Sequence, residues 1–308
     1  MKMPVGGCVL ALTIAGVALI GAQSGQNKGQ WNLRLNETRG PIRTADVSPV
    51  SQGSVSEILG GPTNGSDNAF LLYTRMAPGA RGPALFTLPV EHYYVVLSGK
   101  MTVQIGTDTL SAEPMTAVVI PANLPHAVWN ADAQPEAHLE VIAPASSRDL
   151  MAMVKPAQSR KVENATQYIR HITVPAARDL KPGLNGQVFT NRAMGSANQL
   201  RLDSTMPGGG GPPTHVHRFE QVYFIVEGTT TISYGADTRK ASKNDIVIIA
   251  PAVVHTNLNE TAMPERHLTL LLPQPEDGAP ADIEFQMKPP APARTGNAPT
   301  RDTRVGVR

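Results

Sequence analysis

Residues 214–228 read T-H-V-H-R-F-E-Q-V-Y-F-I-V-E-G. In an extended strand alternate side chains share a face, so His215, His217, Phe219, Gln221 and Tyr223 point the same way. Two imidazoles and a carboxamide therefore converge on one side of a sheet. Imidazole nitrogens ligate first-row divalent metals, and an amide oxygen adds a neutral ligand beside them. A further donor, His255, follows in the run I-V-I-I-A-P-A-V-V-H-T-N-L-N that starts at Ile246.

The order and spacing resemble the two motifs of the cupin superfamily: His-x-His, a polar ligand, a Gly, then a Pro-containing turn, His and Asn. Here these are His215, His217, Gln221, Gly228, Pro251, His255 and Asn259. Two departures stand out. Gln221 occupies the place of the usual Glu, which removes a negative charge from around the ion, and A-P-A-V-V replaces the usual Pro-x-Gly turn. The resemblance implies a double-stranded β-helix, or jelly-roll, barrel holding one divalent first-row ion (Mn, Fe, Ni, Cu or Zn) through His215, His217, Gln221 and His255. A His-x-His on a strand is otherwise surface polarity and a lone His255 is otherwise structural; the matched spacing favours ligation.

Working outward, the same signals recur in the first half. Gly99 and Gly228 stand 129 residues apart, and that offset also relates Glu91 to Glu220, Tyr94 to Tyr223, His126 to His255, Asn130 to Asn259 and His138 to His267. A constant offset across unlike residue types is an internal repeat. The chain is therefore expected to be all-β, with two tandem cupin barrels. Strands are expected over 70–76, 91–98, 101–105, 116–120, 126–130 and 137–142, with Gly or Pro at most joins. In the first copy Phe86 and Leu88 fall on His215 and His217, and His92 falls on Gln221. Phe and Leu cannot ligate, so that barrel is expected to be metal-free, with weak binding by His92 and His126 as the alternative.

The repeat also weighs the candidates for chemistry. Glu220 is placed as a general base only if it faces the ligands, but alternation puts it on the opposite face and Glu91 recurs where no metal site exists; an architectural role follows. His267 reads first as a buried hydrogen-bonded histidine, second as a group supporting the ligands. Tyr223 shares the ligand face and lines the pocket, although Tyr94 makes a core role equally fitting.

Length and composition agree with this plan. The 308 residues are 41% hydrophobic and only 5% aromatic, with 27 Gly and 27 Pro, as suits a turn-rich β-protein. A net charge of +2, much of it in the tail at Lys288, Arg294, Arg301, Arg304 and Arg308, argues against a nucleic-acid partner. The expected division is a signal peptide (1–22), an arm with one edge strand (23–60), an N-terminal barrel (61–145), a linker (146–185) with a short helix within Ser146–Val154, a C-terminal barrel (186–287) and a disordered tail (288–308).

Lys2, the apolar run from Val9 to Ile20 and the small pair Gly21-Ala22 have the form of a secretory signal cleaved near Ala22, with an uncleaved anchor as the alternative. The expected location is periplasmic or extracellular, with no stable membrane span after cleavage. Cys8 is the single cysteine and would leave with the signal, so no disulfide or thiolate site is expected. No twin-Arg pair precedes the apolar run, which implies export unfolded and metal uptake afterwards.

Resemblance to cupin enzymes suggests a dioxygenase of the quercetinase kind acting on a small anionic or enolisable molecule. The alternatives are a non-redox isomerase, lyase or decarboxylase, and a periplasmic small-molecule-binding protein with a structural metal. A monomer with an internal pseudo-dimer is expected, a homodimer being the other option.

Overall fold

The computed structural model describes residues 42–235 and 237–284. The expected signal peptide with Cys8, the first part of the arm and the tail lie outside the described residues. Among those described, no helix is long and apolar enough to cross a membrane.

The first module contains β2 (Ser54–Gly60), β3 (Phe70–Met76), β4 (Phe86–Thr87), β5 (Glu91–Ser98) and β6 (Met101–Ile105), preceded by β1 (Ile42–Thr44). It continues with β7 (Asp108–Ala112), β8 (Thr116–Ile120), β9 (His126–Trp129) and β10 (Glu136–Ala143). A link carries β11 (Lys155–Pro156) and β12 (Ile169–His171). The second module runs through β13 (Leu184–Thr190), β14 (Gln199–Thr205), β15 (His215–Val216), β16 (Glu220–Glu227) and β17 (Thr229–Tyr234). Its remaining strands are β18 (Asp237–Ser242), β19 (Asp245–Ile249), β20 (His255–Leu258), β21 (Glu265–Leu272) and β22 (Ile283–Glu284).

The strands expected at 70–76, 91–98, 101–105 and 116–120 form with those bounds. β7 was not expected, because D-T-L-S-A has no apolar alternation. The helix expected within Ser146–Val154 is instead one 3-10 turn, Met151–Met153. Ser147 Oγ accepts from Asp149 N and Asp149 Oδ1 from Met151 N, so side chains take up the amides that would otherwise start a helix. β2 pairs with β3 inside the segment read as an arm.

Each module is a six-stranded sheet facing a five-stranded one. The orders are β12-β8-β5-β10-β3-β2 with β11-β4-β9-β6-β7, and β1-β19-β16-β21-β14-β13 with β18-β17-β20-β15-β22. The six-stranded sheets pack against each other. Tyr73, Tyr93, Val95 and Leu139 thus share one buried core with Val222, Phe224, Leu268 and Leu270. β5 and β16 are covered on both faces, which is why they read as nearly unbroken apolar runs.

The modules also exchange parts. β1 pairs with β19 of the second module and β12 with β8 of the first, Ile42 lying opposite Val247 and Ile169 opposite Val118. Glu220 accepts from Ser66 Oγ and Asp67 N of the first module, while Glu91 accepts from Ala197 N and Asn198 Nδ2 of the second. Gly99 (φ +70°) and Gly228 (φ +77°) hold matching turns, where a Cβ would fall 2.3 and 2.4 Å from the carbonyls of Pro135 and Pro264. No other residue fits both the angle and the gap. A cavity of about 360 Å³ lies between the modules, lined in part by Tyr73, Arg75, Phe224 and Lys243.

Candidate metal centre

His215 on β15 stands opposite His255 on β20, and Gln221 enters from β16 opposite Leu271 and Ile249. His217 sits in the short turn between β15 and β16. All four side chains are buried, and the three histidines present ring nitrogens within 4.8 Å of one another.

Backbone carbonyls orient every ring. His215 Nδ1–H donates to Pro213 O (2.7 Å), His217 Nδ1–H to Ala281 O (2.8 Å) and His255 Nδ1–H to Val253 O (2.9 Å). Each Nδ1 proton is thereby committed, so each Nε2 carries a bare lone pair. These lone pairs crowd: His215 Nε2 lies 3.2 Å from His217 Nε2, and Gln221 Oε1 lies 3.0 and 2.9 Å from Nε2 of His217 and His255. Four electron-pair donors face each other with no proton left to join them, which is the arrangement a cation completes. Burial holds the pKa of His217 below the ordinary imidazole range, and burial reinforced by His215 and His217 holds that of His255 well below it. The neutral, ligating form is therefore the resident one.

Tyr223 OH donates to Gln221 Oε1 at 3.0 Å, and burial followed by the charge of Asp203 raises its pKa, keeping the phenol protonated. The His267 ring lies 4.5 Å from that of Tyr223, and its Nδ1 donates to Glu265 Oε1 at 2.7 Å. Burial pulls the His267 pKa down, but Glu265 outweighs it and the net shift is upward. Glu220 faces away from the ligands toward the first module, and burial, opposed by Ser66 and Asp67, pushes its pKa up to about 7. One nearby residue escaped the sequence reading. Asp282 Oδ1 lies 3.8 Å from His215 Nε2 and 3.6 Å from His217 Nδ1, brought there because β22 pairs with β15; no local motif marks it.

Residues 72–142 and 202–270 each match the cupin domain family. Both modules are cupin domains. Oxalate decarboxylase of Bacillus subtilis superposes with a TM-score of 0.54 at 14% identity over 73% of this chain and 74% of its own. The formate complex of the Lactobacillus farciminis oxalate decarboxylase gives 0.56 at 14%, over 82% and 88%. Salicylate 1,2-dioxygenase from Pseudoaminobacter salicylatoxidans, as a variant bound to gentisate, gives 0.58 at 13%, over 77% and 83%. No curated protein matches the chain in sequence.

In the first cupin domain the equivalent space is closed. Phe86 and Leu88 replace the His-x-His pair and join Phe70, Leu72 and Ile142 in one buried cluster. His126 Nδ1–H donates to Leu124 O (2.8 Å) and its Nε2 lies 3.0 Å from His92 Nδ1, while His92 Nε2–H donates to Glu140 Oε2 at 3.2 Å. Only two imidazoles remain here, one of them tied to a carboxylate, against three in the second domain. Burial, then the neighbouring His92, pulls the His126 pKa down to about 3. Among the described residues the only set of three or more potential ligands that come together is His215, His217 and His255.

Proposed function

We propose that the second cupin domain is a mononuclear metal centre, and that the protein is an exported enzyme acting on a small anionic or enolisable molecule by dioxygenase-type chemistry. The observation that carries this reading is the convergence of three proton-free Nε2 atoms and Gln221 Oε1 within a buried barrel. The four donors are neutral and Asp282 is the one acid beside the histidines, so a divalent ion held there keeps a net positive charge and attracts an anionic chelating ligand. When bound, a redox-active ion would supply Lewis acidity and an electron path to oxygen. His215, His217 and His255 hold it through Nε2; Tyr223 fixes Gln221; the barrel wall keeps bulk water from the ligands.

Purification without chelators or an added His tract, followed by elemental analysis, is expected to give about one ion per chain, lost in His215→Ala. Oxygen uptake is then followed with a panel of enolisable and aromatic hydroxy acids. Uptake with turnover supports the dioxygenase reading. Turnover indifferent to oxygen, and retained with Zn, replaces it by a non-redox isomerase, lyase or decarboxylase. Small-molecule affinity that survives His217→Ala without turnover reduces the protein to a binding module. The two packed domains already form an internal pair, so light scattering is expected to report a monomer, and a homodimer mass would reject that arrangement.

A further inference from the structure

The 129-residue register exposes a second substitution pattern around the histidines. Phe70, Leu72, Phe86 and Leu88 belong to a single buried cluster of the first domain, so the four equivalent positions of the second domain are turned toward one common interior. Those equivalents are Gln199, Arg201, His215 and His217. Two of the four are the ligating pair. The third is a guanidinium.

Its placement follows from the strand register. Leu200 and Leu202 belong to the core between the domains, which turns Arg201 and Asp203 inward. Arg201 lies in the cross-strand row Arg201–Thr269–Tyr223, adjacent to the row Gln199–Leu271–Gln221 that carries a ligand. Arg201 Nε–H donates to Asp203 Oδ2 at 2.7 Å, and Asp203 in turn accepts from Thr269 Oγ1. Asp203 is buried, whereas the Arg201 side chain is 27% exposed, and among the described residues its Nη1 and Nη2 have no partner.

The first domain shows what was altered to make this fork. There the acid is the partly buried Glu140, which accepts from Thr74 and lies 3.2 Å from His92 Nε2. In the second domain acid and hydroxyl have changed strands: Asp203 replaces Thr74, and Thr269 replaces Glu140. On β14 the carboxylate lies two residues from position 201 on the same face, where it can lock an arginine. With Nε held, Nη1 and Nη2 form a fixed fork matched to a planar oxyanion.

We propose that Arg201, fixed by Asp203, binds the carboxylate of the substrate in the second domain and makes that domain selective for carboxylic acids over neutral analogues. The inference rests on the metal reading above and names the substrate class for the same site. The test uses the Mn(II)-loaded full chain, with glycolate and its neutral counterpart glycolamide as probes, followed by calorimetry and by the Mn(II) electron-spin signal, with metal content measured in parallel. Wild type is expected to prefer glycolate. Arg201→Leu, which copies Leu72, is expected to keep its manganese and to lose about tenfold to a hundredfold of that preference, and Arg201→Lys to recover part of it.

An Arg201→Leu chain that keeps both its metal and its preference overturns the inference, as does one that sheds its metal. Loaded wild type that does not discriminate between the probes overturns it as well, leaving the metal reading standing. Wild type that takes up no manganese overturns the metal reading itself and this inference with it. Should Arg201→Leu not fold by circular dichroism, Arg201→Gln is measured against the same outcomes.

Discussion

In the first domain the row Phe70–Ile142–His92 ends in an apolar wall that Phe86 and Leu88 complete; in the second the same places hold Gln199, Leu271, Gln221, His215 and His217. From β3 to β10 the strands match β14 to β21 at the offset of 129, apart from a residue at an end, while β13 sits one residue out of step with β2. The backbone plan therefore does not create the candidate metal centre. Side chains at a few inward positions do, and the first domain shows that the barrel is equally satisfied when those positions are filled with carbon. Its retained polar groups are fewer and tied to an acid, His92 donating to Glu140, whereas the donors of the second domain are left facing one another.

The sharpest way to break this contrast is to write the first domain's residues into the second. His215→Phe with His217→Leu removes two of three imidazoles, and no ion is expected to survive dialysis. His92→Ala is expected to leave the content at one ion per chain. Metal analysis of both proteins decides it, and an ion lost on mutating His92 would mean that the first domain is not empty.

The next effect concerns what the domains share. Phe224 is fully buried in the common core and stacks near Tyr73, ring centroids 6.0 Å apart; its counterpart Val95 is smaller. Phe224→Ala is expected to cost about 3–5 kcal/mol, Val95→Ala clearly less. Urea denaturation of the metal-free chain should show one cooperative transition moving in both cases. Separate transitions would reject a core common to the two domains.

A smaller difference separates the two recurring histidines. His138 is flanked by Glu136 and Glu140, with Nδ1 2.8 Å from Glu136 Oε1 and Nε2 3.3 Å from Glu140 Oε1. Burial pulls its pKa down, but Glu136 outweighs it and the result is pushed up from 6.5 to about 10. His267 has Glu265 close, but its second carboxylate, Asp203, is 3.9 Å away and engaged with Arg201. A raised histidine stabilises the folded state fully below its unfolded pKa and loses that contribution as pH rises through the folded value. For His138 the loss spans pH 6.5 to about 10 and amounts to a few kcal/mol. Histidine-resolved NMR of the metal-free chain is expected to show His267 releasing its proton at lower pH than His138; the reverse order would mean that the second carboxylate does not set the difference.

Much of this was legible before any coordinates. The offset of 129 carries the duplication, and period-two patterning places β3, β5, β6 and β8 because each must turn one face into a barrel. The meeting of the candidate ligands was readable for the same reason: His215, His217 and Gln221 lie close in sequence, and His255 lies opposite by register. What escaped is what depends on distant pairing. β1 is three residues long and reaches the other domain's sheet, and Asp282 reaches the histidines only because β22 docks on β15; neither has a periodic signal. Arg201 differs: the offset that cleared the first domain of ligands also places Leu72 opposite Arg201, a signal present in the chain.

The smallest expected effect tests how closely the second domain is fitted around its polar interior. Asn257 and Val128 occupy equivalent places on β20 and β9. Gly211 and Gly82 lie over them, and a Cβ at Gly211 would come 2.3 Å from Asn257 Oδ1, against 3.2 Å from the Val128 carbonyl at Gly82. Asn257 is buried, and among the described residues its Nδ2 has no hydrogen-bond partner, so its amide has little to lose by turning but no empty space to turn into. Gly211→Ala is therefore expected to cost about 1–3 kcal/mol, as overpacking does, and Gly82→Ala less. If the clash with the amide is the cause, Asn257→Val should bring the Gly211→Ala penalty down to that of Gly82→Ala, a coupling that a double-mutant cycle measures directly. Equal penalties with and without Asn257 would instead place the cost in the backbone of the turn, and would leave Val128 and Asn257 interchangeable as far as packing is concerned.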